Sequence, residues 1–124
     1  MKHQESDIQR VCVKWFRYQF PDLARNLISV PNGGYRSAVT AAIMKAEGVV
    51  SGVSDLILFV PNNDFHALCI EMKTDKGKQS ENQILWQNAV DRFGYKYVLC
   101  HSLTEFQQII KDYIYQPEKS NQLI

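Results

Sequence analysis

The stretch from His66 to Cys100 constrains the fold more than any other part of this chain. It opens with a short apolar run, His66-Ala67-Leu68-Cys69-Ile70, and closes with another, Tyr95 to Cys100. Between them, Ser80-Glu81-Asn82-Gln83 has the form of a capping box, which starts a predicted helix through Phe93 that Gly94 stops. Strand, helix and strand in this order demand a right-handed crossover and a partly parallel sheet. Ile84, Trp86, Val90 and Phe93 are the expected packing positions of that helix, with Leu85 and Ala89 alongside.

Upstream, Leu56-Ile57-Leu58-Phe59-Val60 is a further apolar run, and Pro61-Asn62-Asn63-Asp64 after it is turn chemistry. Short apolar runs bounded by turn residues read as buried strands, here the arms of a hairpin. A loop at Asn62 to Asp64 pairs Pro61 with Phe65 and sets Asp55 opposite Glu71. A one-residue slip of the loop shifts that pairing by one. Glu71 and Lys73 share a face in either register, because side chains alternate along a strand. Leu68, Ile70 and Met72 take the other face and are expected in the core.

The remaining segments complete an α/β pattern. Residues 5 to about 20 read as a helix, with Ile8, Val11, Cys12, Trp15 and Phe16 on one face and Pro21 ending it. Glu5 extends that face toward the protein; an acidic residue at the positive end of the helix dipole is the alternative. Leu27-Ile28-Ser29-Val30 reads as a strand, stopped by Pro31-Asn32-Gly33-Gly34. The glycine pair permits close backbone approach, yet it lacks the lysine and spacing of a P-loop. Arg36 to Glu47 reads as a helix stopped by Gly48, and Val49 to Ser54 as a glycine-containing approach to Asp55. Ser102-Leu103-Thr104-Glu105 is a second capping box, ahead of an apolar helix face of Phe106, Ile109, Ile110, Tyr113 and Ile114. The expected order is α-β-α-β-β-α-β-α, a mixed sheet flanked by helices. Residues 1–115 form one expected domain and 116–124 a polar tail.

At 124 residues the chain is long enough to bury a core without staples. Its formal net charge is only +1, so a nucleic-acid role needs a local patch. Lys73, Lys76 and Lys78, with Arg36 and Lys45, are the candidates; a solvated loop is the plainer reading of the first three. The three cysteines, Cys12, Cys69 and Cys100, are widely spaced among apolar neighbours and read as reduced, buried thiols. His3, His66 and His101 lack metal-ligand spacing. No apolar run reaches the length of a membrane span, and Met1-Lys2-His3-Gln4-Glu5 is not a signal peptide. The expected setting is cytoplasmic, with a phage or bacterial origin.

Two carboxylates and a lysine near one another suit phosphodiester hydrolysis. That reaction needs an activated water, charge neutralisation on the phosphoryl oxygens and a stabilised leaving oxygen, all of which a divalent metal can supply. Mg²⁺ takes oxygen ligands, typically one or two of them carboxylates. Asp55 and Glu71 fit as direct ligands, with the Met72 backbone carbonyl as another. Lys73 is suited to orient the attacking water and offset developing charge. Glu5 is placed to act on the ion through a water from the helix side. Glu-x-Lys alone is a weak signal, and a same-face ion pair is its bland alternative. A pair that ends an apolar strand beside another carboxylate is less easily explained so.

The segments Asn32-Gly-Gly-Tyr-Arg36, Lys45-Ala-Glu-Gly48, Ser51-Gly-Val-Ser-Asp55, Glu71-Met-Lys73 and Gln83 resemble the VRR-NUC family, virus-type replication-repair nucleases of the PD-(D/E)XK superfamily. The resemblance runs from Glu5 to about Tyr113. It implies a restriction-endonuclease-like fold and Mg²⁺- or Mn²⁺-dependent cleavage of DNA. It makes Asp55, Glu71 and Lys73 the catalytic core, with Glu5 and Gln83 supporting. Arg36, Lys45, Lys76 and Lys78, by their charge, and Asn32, Gly33 and Gly34, by close backbone approach, are the candidate DNA contacts. Ser54 departs from the family, which usually has Pro there; the Pro stiffens the backbone and ligates nothing, so the geometry is expected to survive. Short stand-alone members resemble Holliday-junction resolvases, which implies a homodimer acting on branched DNA. A non-catalytic nucleic-acid-binding module and an exonuclease with the same site are the competing readings.

Overall fold

Lys2–Gln19 forms α1, and Phe20 closes it by donating its N–H to the Phe16 carbonyl at 2.8 Å. The computed structural model describes residues 2–31 and 36–116 of the chain. Pro21 ends α1 as expected, but the chain continues as a 3₁₀ helix, Pro21–Asn26, that the sequence pattern did not suggest. Proline fits there because the first N–H groups of a helix lack partners anyway. The other elements are β1 (Leu27–Ser29), α2 (Ala38–Ala46), β2 (Leu56–Leu58), β3 (Leu68–Met72), α3 (Glu81–Asp91), β4 (Lys96–Cys100) and α4 (Leu103–Ile114). The expected order holds, with the 3₁₀ segment added. Residues 117–124, most of the expected tail, lie outside the described residues, as does the Asn32-Gly33-Gly34-Tyr35 stretch.

The sheet runs β1-β2-β3-β4, antiparallel except for the parallel β3–β4 pair that the crossover requires. In the hairpin, Leu56 pairs with Ile70, Ile57 with Cys69 and Leu58 with Leu68. This is the register that sets Asp55 opposite Glu71. The arms are shorter than their apolar runs because the chain leaves the ladder early. Phe59 donates its N–H to the Asn26 carbonyl at 2.8 Å. Asn62 Oδ1 then accepts the N–H groups of Asp64 and Phe65 at 2.9 and 2.8 Å, so the turn folds on a side chain.

One face of the sheet is dry. Leu56, Leu58, Leu68, Ile70, Met72 and Cys100 bury there against Cys12 and Phe16 of α1 and Phe106, Ile110 and Tyr113 of α4. Burying each large side chain contributes roughly 1.5–3 kcal/mol, so this layer dominates stability. All three cysteines are free and buried, as expected, and the Cys100 thiol donates to the Ser102 carbonyl at 3.4 Å. Ser102 Oγ caps α4 by accepting the Glu105 N–H at 3.1 Å. The expected second capping box is only half made. The Glu105 carboxylate accepts the His101 N–H at 2.5 Å and meets the His101 ring at 2.8 Å, which draws it one residue upstream of the cap.

The packing expected of α3 needs correction. No α3 residue is buried. Trp86 and Val90 are half-buried, whereas Ile84, Leu85, Ala89 and Phe93, the last just beyond the helix, are exposed. The cause lies beneath it. α3 covers the face of the sheet that presents Glu71, Lys73 and Tyr97 among Ile57, Cys69 and Leu99, so its floor is partly polar. No α2 residue is buried either, although the helix reads Ala-Val-Thr-Ala-Ala-Ile-Met-Lys-Ala. Among the described residues no helix is long and apolar enough to cross a membrane.

Candidate active site

The polar face of β3 is built by alternation. Ile70 and Met72 point into the core, so Glu71 and Lys73 point out of it, toward α3. Asp55 enters from the strand opposite. Its carbonyl accepts the Val30 N–H at 2.9 Å, which extends the β1–β2 ladder, and its Oδ2 accepts the Met72 N–H at 2.8 Å. Ser54, where the resemblance expects Pro, is fully buried and donates its hydroxyl to the Leu56 carbonyl at 3.1 Å. A hydroxyl clip thus stiffens the approach that a ring would have stiffened.

Glu71 is 3% exposed. Its Oε2 accepts the Gln83 side-chain amide at 2.7 Å. Its Oε1 is buried and receives no donor among the described residues. Burial pushes the Glu71 carboxyl up to about 8; the Asp55 carboxyl beside it adds to the rise, the Lys73 ammonium opposes it, and Glu5 adds the smallest share. A buried carboxylate oxygen without a donor costs on the order of 1–3 kcal/mol unless a proton or cation meets it.

Gln83 serves two groups with one amide. Its Oε1 accepts the Ser80 N–H at 2.8 Å and completes the capping box of α3, while its Nε2 holds Glu71. The helix start is fixed from the other side by Gly52, at φ +90°. A Cβ on Gly52 would lie 2.4 Å from the Asn82 carbonyl oxygen and 2.8 Å from the Gln83 nitrogen. Only glycine lets the chain before Asp55 touch the backbone of α3.

Lys73 is 9% exposed, so it turns inward from the expected basic loop patch. Its backbone N–H donates to the Cys100 carbonyl at 2.9 Å, and its stem lies over Gly77. Lys76 and Lys78 remain exposed. Glu5 is half-buried on α1 and acts on Glu71 through space. Among the described residues no cluster of three or more His, Cys, Asp or Glu side chains is placed to hold an ion. The oxygen donors that the site gathers are the Asp55 and Glu71 carboxylates, a hard and sparse pair.

Sequence reasoning missed Tyr97 and the glutamines beside it. Tyr97 pairs with Cys69 across the parallel β3–β4 register, two positions from Glu71 on the same face. Gln79 donates to Tyr97 Oη at 3.3 Å and to Gln87 Oε1 at 2.8 Å. Burial pushes the Tyr97 hydroxyl up to about 12, with Glu71 and Asp55 adding to it. Alternation in β4 was the available signal, but the parallel register that aligns it with β3 was not. Beside this network a cleft of about 760 Å³ opens between α2, the 48–52 loop and α3. Arg36 and Lys45 line it, together with Trp86 and Leu85.

The VRR-NUC domain model matches residues 3–104 of the chain. A solved structure described as a VRR_NUC domain protein superposes with a TM-score of 0.81 at 24% identity, over 93% of this chain and 91% of that chain. That likeness establishes the fold: a four-stranded mixed sheet flanked by helices. No curated protein matches the sequence.

Proposed function

The chain belongs to the VRR-NUC family, a family of nucleases, and from that premise we propose that it is a divalent-metal-dependent DNA endonuclease selective for branched DNA. One observation carries the reading: a buried glutamate oxygen with no donor among the described residues, on a carboxylate that interacts with a second carboxylate and a nearly buried lysine. Structural ion pairs satisfy their oxygens; this arrangement leaves one for a cation.

Asp55, Glu71 and the Met72 carbonyl would hold Mg²⁺ or Mn²⁺. When bound, the ion supplies charge neutralisation at the phosphoryl oxygens and activates a water for attack. The chain's own residues do the rest. Gln83 fixes the orientation of Glu71. The Lys73 ammonium, a donor only, orients the attacking water and offsets charge that grows on the phosphoryl group. Glu5 contributes from α1 through a water. Lys76, Lys78, Arg36, Lys45 and the Asn32, Gly33 and Gly34 loop supply phosphate contacts. Assembly as a homodimer that presents two sites to one branched DNA belongs to the same reading. Val39 and Ile43 on α2, 70% and 52% exposed, offer apolar surface to a second copy.

The test is cleavage of labelled four-way junction, flap, splayed arm, duplex and single strand with Mg²⁺ or Mn²⁺, beside Glu71→Ala. Symmetric, metal-dependent nicking that vanishes in the variant supports the reading. Binding that falls steeply with salt, without cutting in any metal, transfers the chain to the non-catalytic class. Cutting of linear but not circular DNA makes it an exonuclease.

A further inference from the structure

The cleft between α2 and α3 has a composition that phosphodiester chemistry alone does not call for. Among its described lining residues are two cations, Arg36 and Lys45, and no carboxylate. Its apolar side includes Val50, Leu85 and the half-buried Trp86. Leu85 is 62% exposed and Val50 54%, so none of the described elements covers this surface. An aromatic plate with cations beside it and no anion is complementary to a base joined to a phosphate. Duplex DNA keeps its bases stacked inside, so only an unpaired nucleotide can present both.

The cleft also adjoins the carboxylates. Gly52 and Asn82 line it, and Gly52 touches the Gln83 backbone, whose side chain holds Glu71. Trp86 follows Gln83 by one helical turn, on the same side of α3. Its ring meets Tyr97 edge to face, with centroids 6.1 Å apart, and Tyr97 shares the sheet face of Glu71.

We propose that this cleft receives an unpaired nucleotide next to the scissile phosphate, stacking its base on Trp86 and holding its phosphate with Arg36 and Lys45. The inference rests on the nuclease reading and narrows its substrate to branched DNA with a single-stranded segment at the branch. A fully paired four-way junction would leave the cleft empty.

The test reads binding, not cleavage, and uses the full chain with Ca²⁺ in place of Mg²⁺. The probe is a flapped duplex carrying 2-aminopurine at its first unpaired position; the control is a blunt duplex of the same length. Stacking on Trp86 quenches the probe's emission, expected to fall at least about twofold on binding. Trp86→Ala should abolish the quench and weaken flap binding about tenfold, while blunt-duplex binding stays within about twofold. Lys45→Ala changes an exposed residue and guards against misfolding of the tryptophan variant. It should weaken flap binding several-fold and lower the salt slope by about one unit. Equal losses on flap and blunt duplex, or no quench in the wild type, overturn the proposal. So does a Trp86→Ala variant that binds the flap normally but sediments as a smaller species, since a second copy would then fill the cleft. Quenching without cleavage in any metal would refute the nuclease reading and leave the cleft assignment standing; cleavage without quenching would do the reverse.

Discussion

Gln83 donates its amide to Glu71 at 2.7 Å while the oxygen of the same amide caps α3 at Ser80. The carboxylate and the start of the helix are thus positioned by one side chain. Gln83→Ala should lower divalent-metal affinity and cleavage rate by about 10–100-fold, the usual effect of losing a group that orients a ligand. It should also cost about 1 kcal/mol of stability, from the freed Ser80 N–H. Calorimetric metal titration beside thermal melting separates the two losses.

Glu71 makes stability depend on pH in a particular direction. Its folded value, about 8, lies above the ordinary 4.5. Between those values the folded state binds more protons than the unfolded state, so stability falls as pH rises and levels off above 8. Glu71→Gln removes that slope. In chelator, the variant should match the wild type near pH 4.5 and exceed it by roughly a few kcal/mol at pH 8.5. Mg²⁺ should then stabilise the wild type and not the variant. Parallel denaturation curves for the two proteins from pH 4.5 to 8.5 would contradict the assignment.

Lys73 is nearly buried and acts electrostatically on Glu71, and the proposed reaction gives its ammonium a part in the chemistry. Lys73→Met keeps the stem that lies over Gly77 and deletes the charge. The cleavage rate should drop on the order of 10²–10³-fold. The melting temperature should fall, most above pH 8, because the Glu71 carboxylate then loses the buried cation that offsets its charge. A variant that cuts at the wild-type rate ends the proposed role.

Gly52 and Gly48 both have positive φ, yet substitution should separate them. A Cβ at Gly48 meets nothing within 4 Å, so Gly48→Ala should cost only the backbone strain, about 1–2 kcal/mol. At Gly52 the same methyl would strike the Asn82 carbonyl. Gly52→Ala should therefore destabilise further and displace Gln83 from Glu71, weakening metal binding as well. Equal metal affinity in the two variants would show that Gly52 does not hold the site together.

The sheet was legible because its strands are short apolar runs bounded by turn residues. The turn at Asn62 located the hairpin but left two registers open, and the observed pairing is the one that sets Asp55 opposite Glu71. The Ser80 cap and Gly94 stop bracketed α3. What stayed hidden depended on contacts distant in the chain. Ile84, Leu85 and Phe93 read as core because an apolar residue on a helix usually has an apolar floor, and the floor of this helix is partly polar. The 3₁₀ segment at Pro21–Asn26 lacks the periodicity that marks a longer helix. Tyr97 reaches the site only through the parallel register with Cys69. Lys73 was legible as a same-face neighbour of Glu71 and also as one of three loop lysines; it is nearly buried while Lys76 and Lys78 stay exposed, which favours the first.

The alternation of β3 also acts as a proofreader during folding. Ile70 and Met72, both at the floor of the core, bracket Glu71 on the same strand. If β3 slipped one residue against β2, the carboxylate and the ammonium would swing into the apolar core and the two apolar side chains into the buried polar site. Misregistered pairings would thus be rejected by desolvation before the native sheet locks. The residues assigned to cutting DNA then also reject the wrong pairing of their own strand.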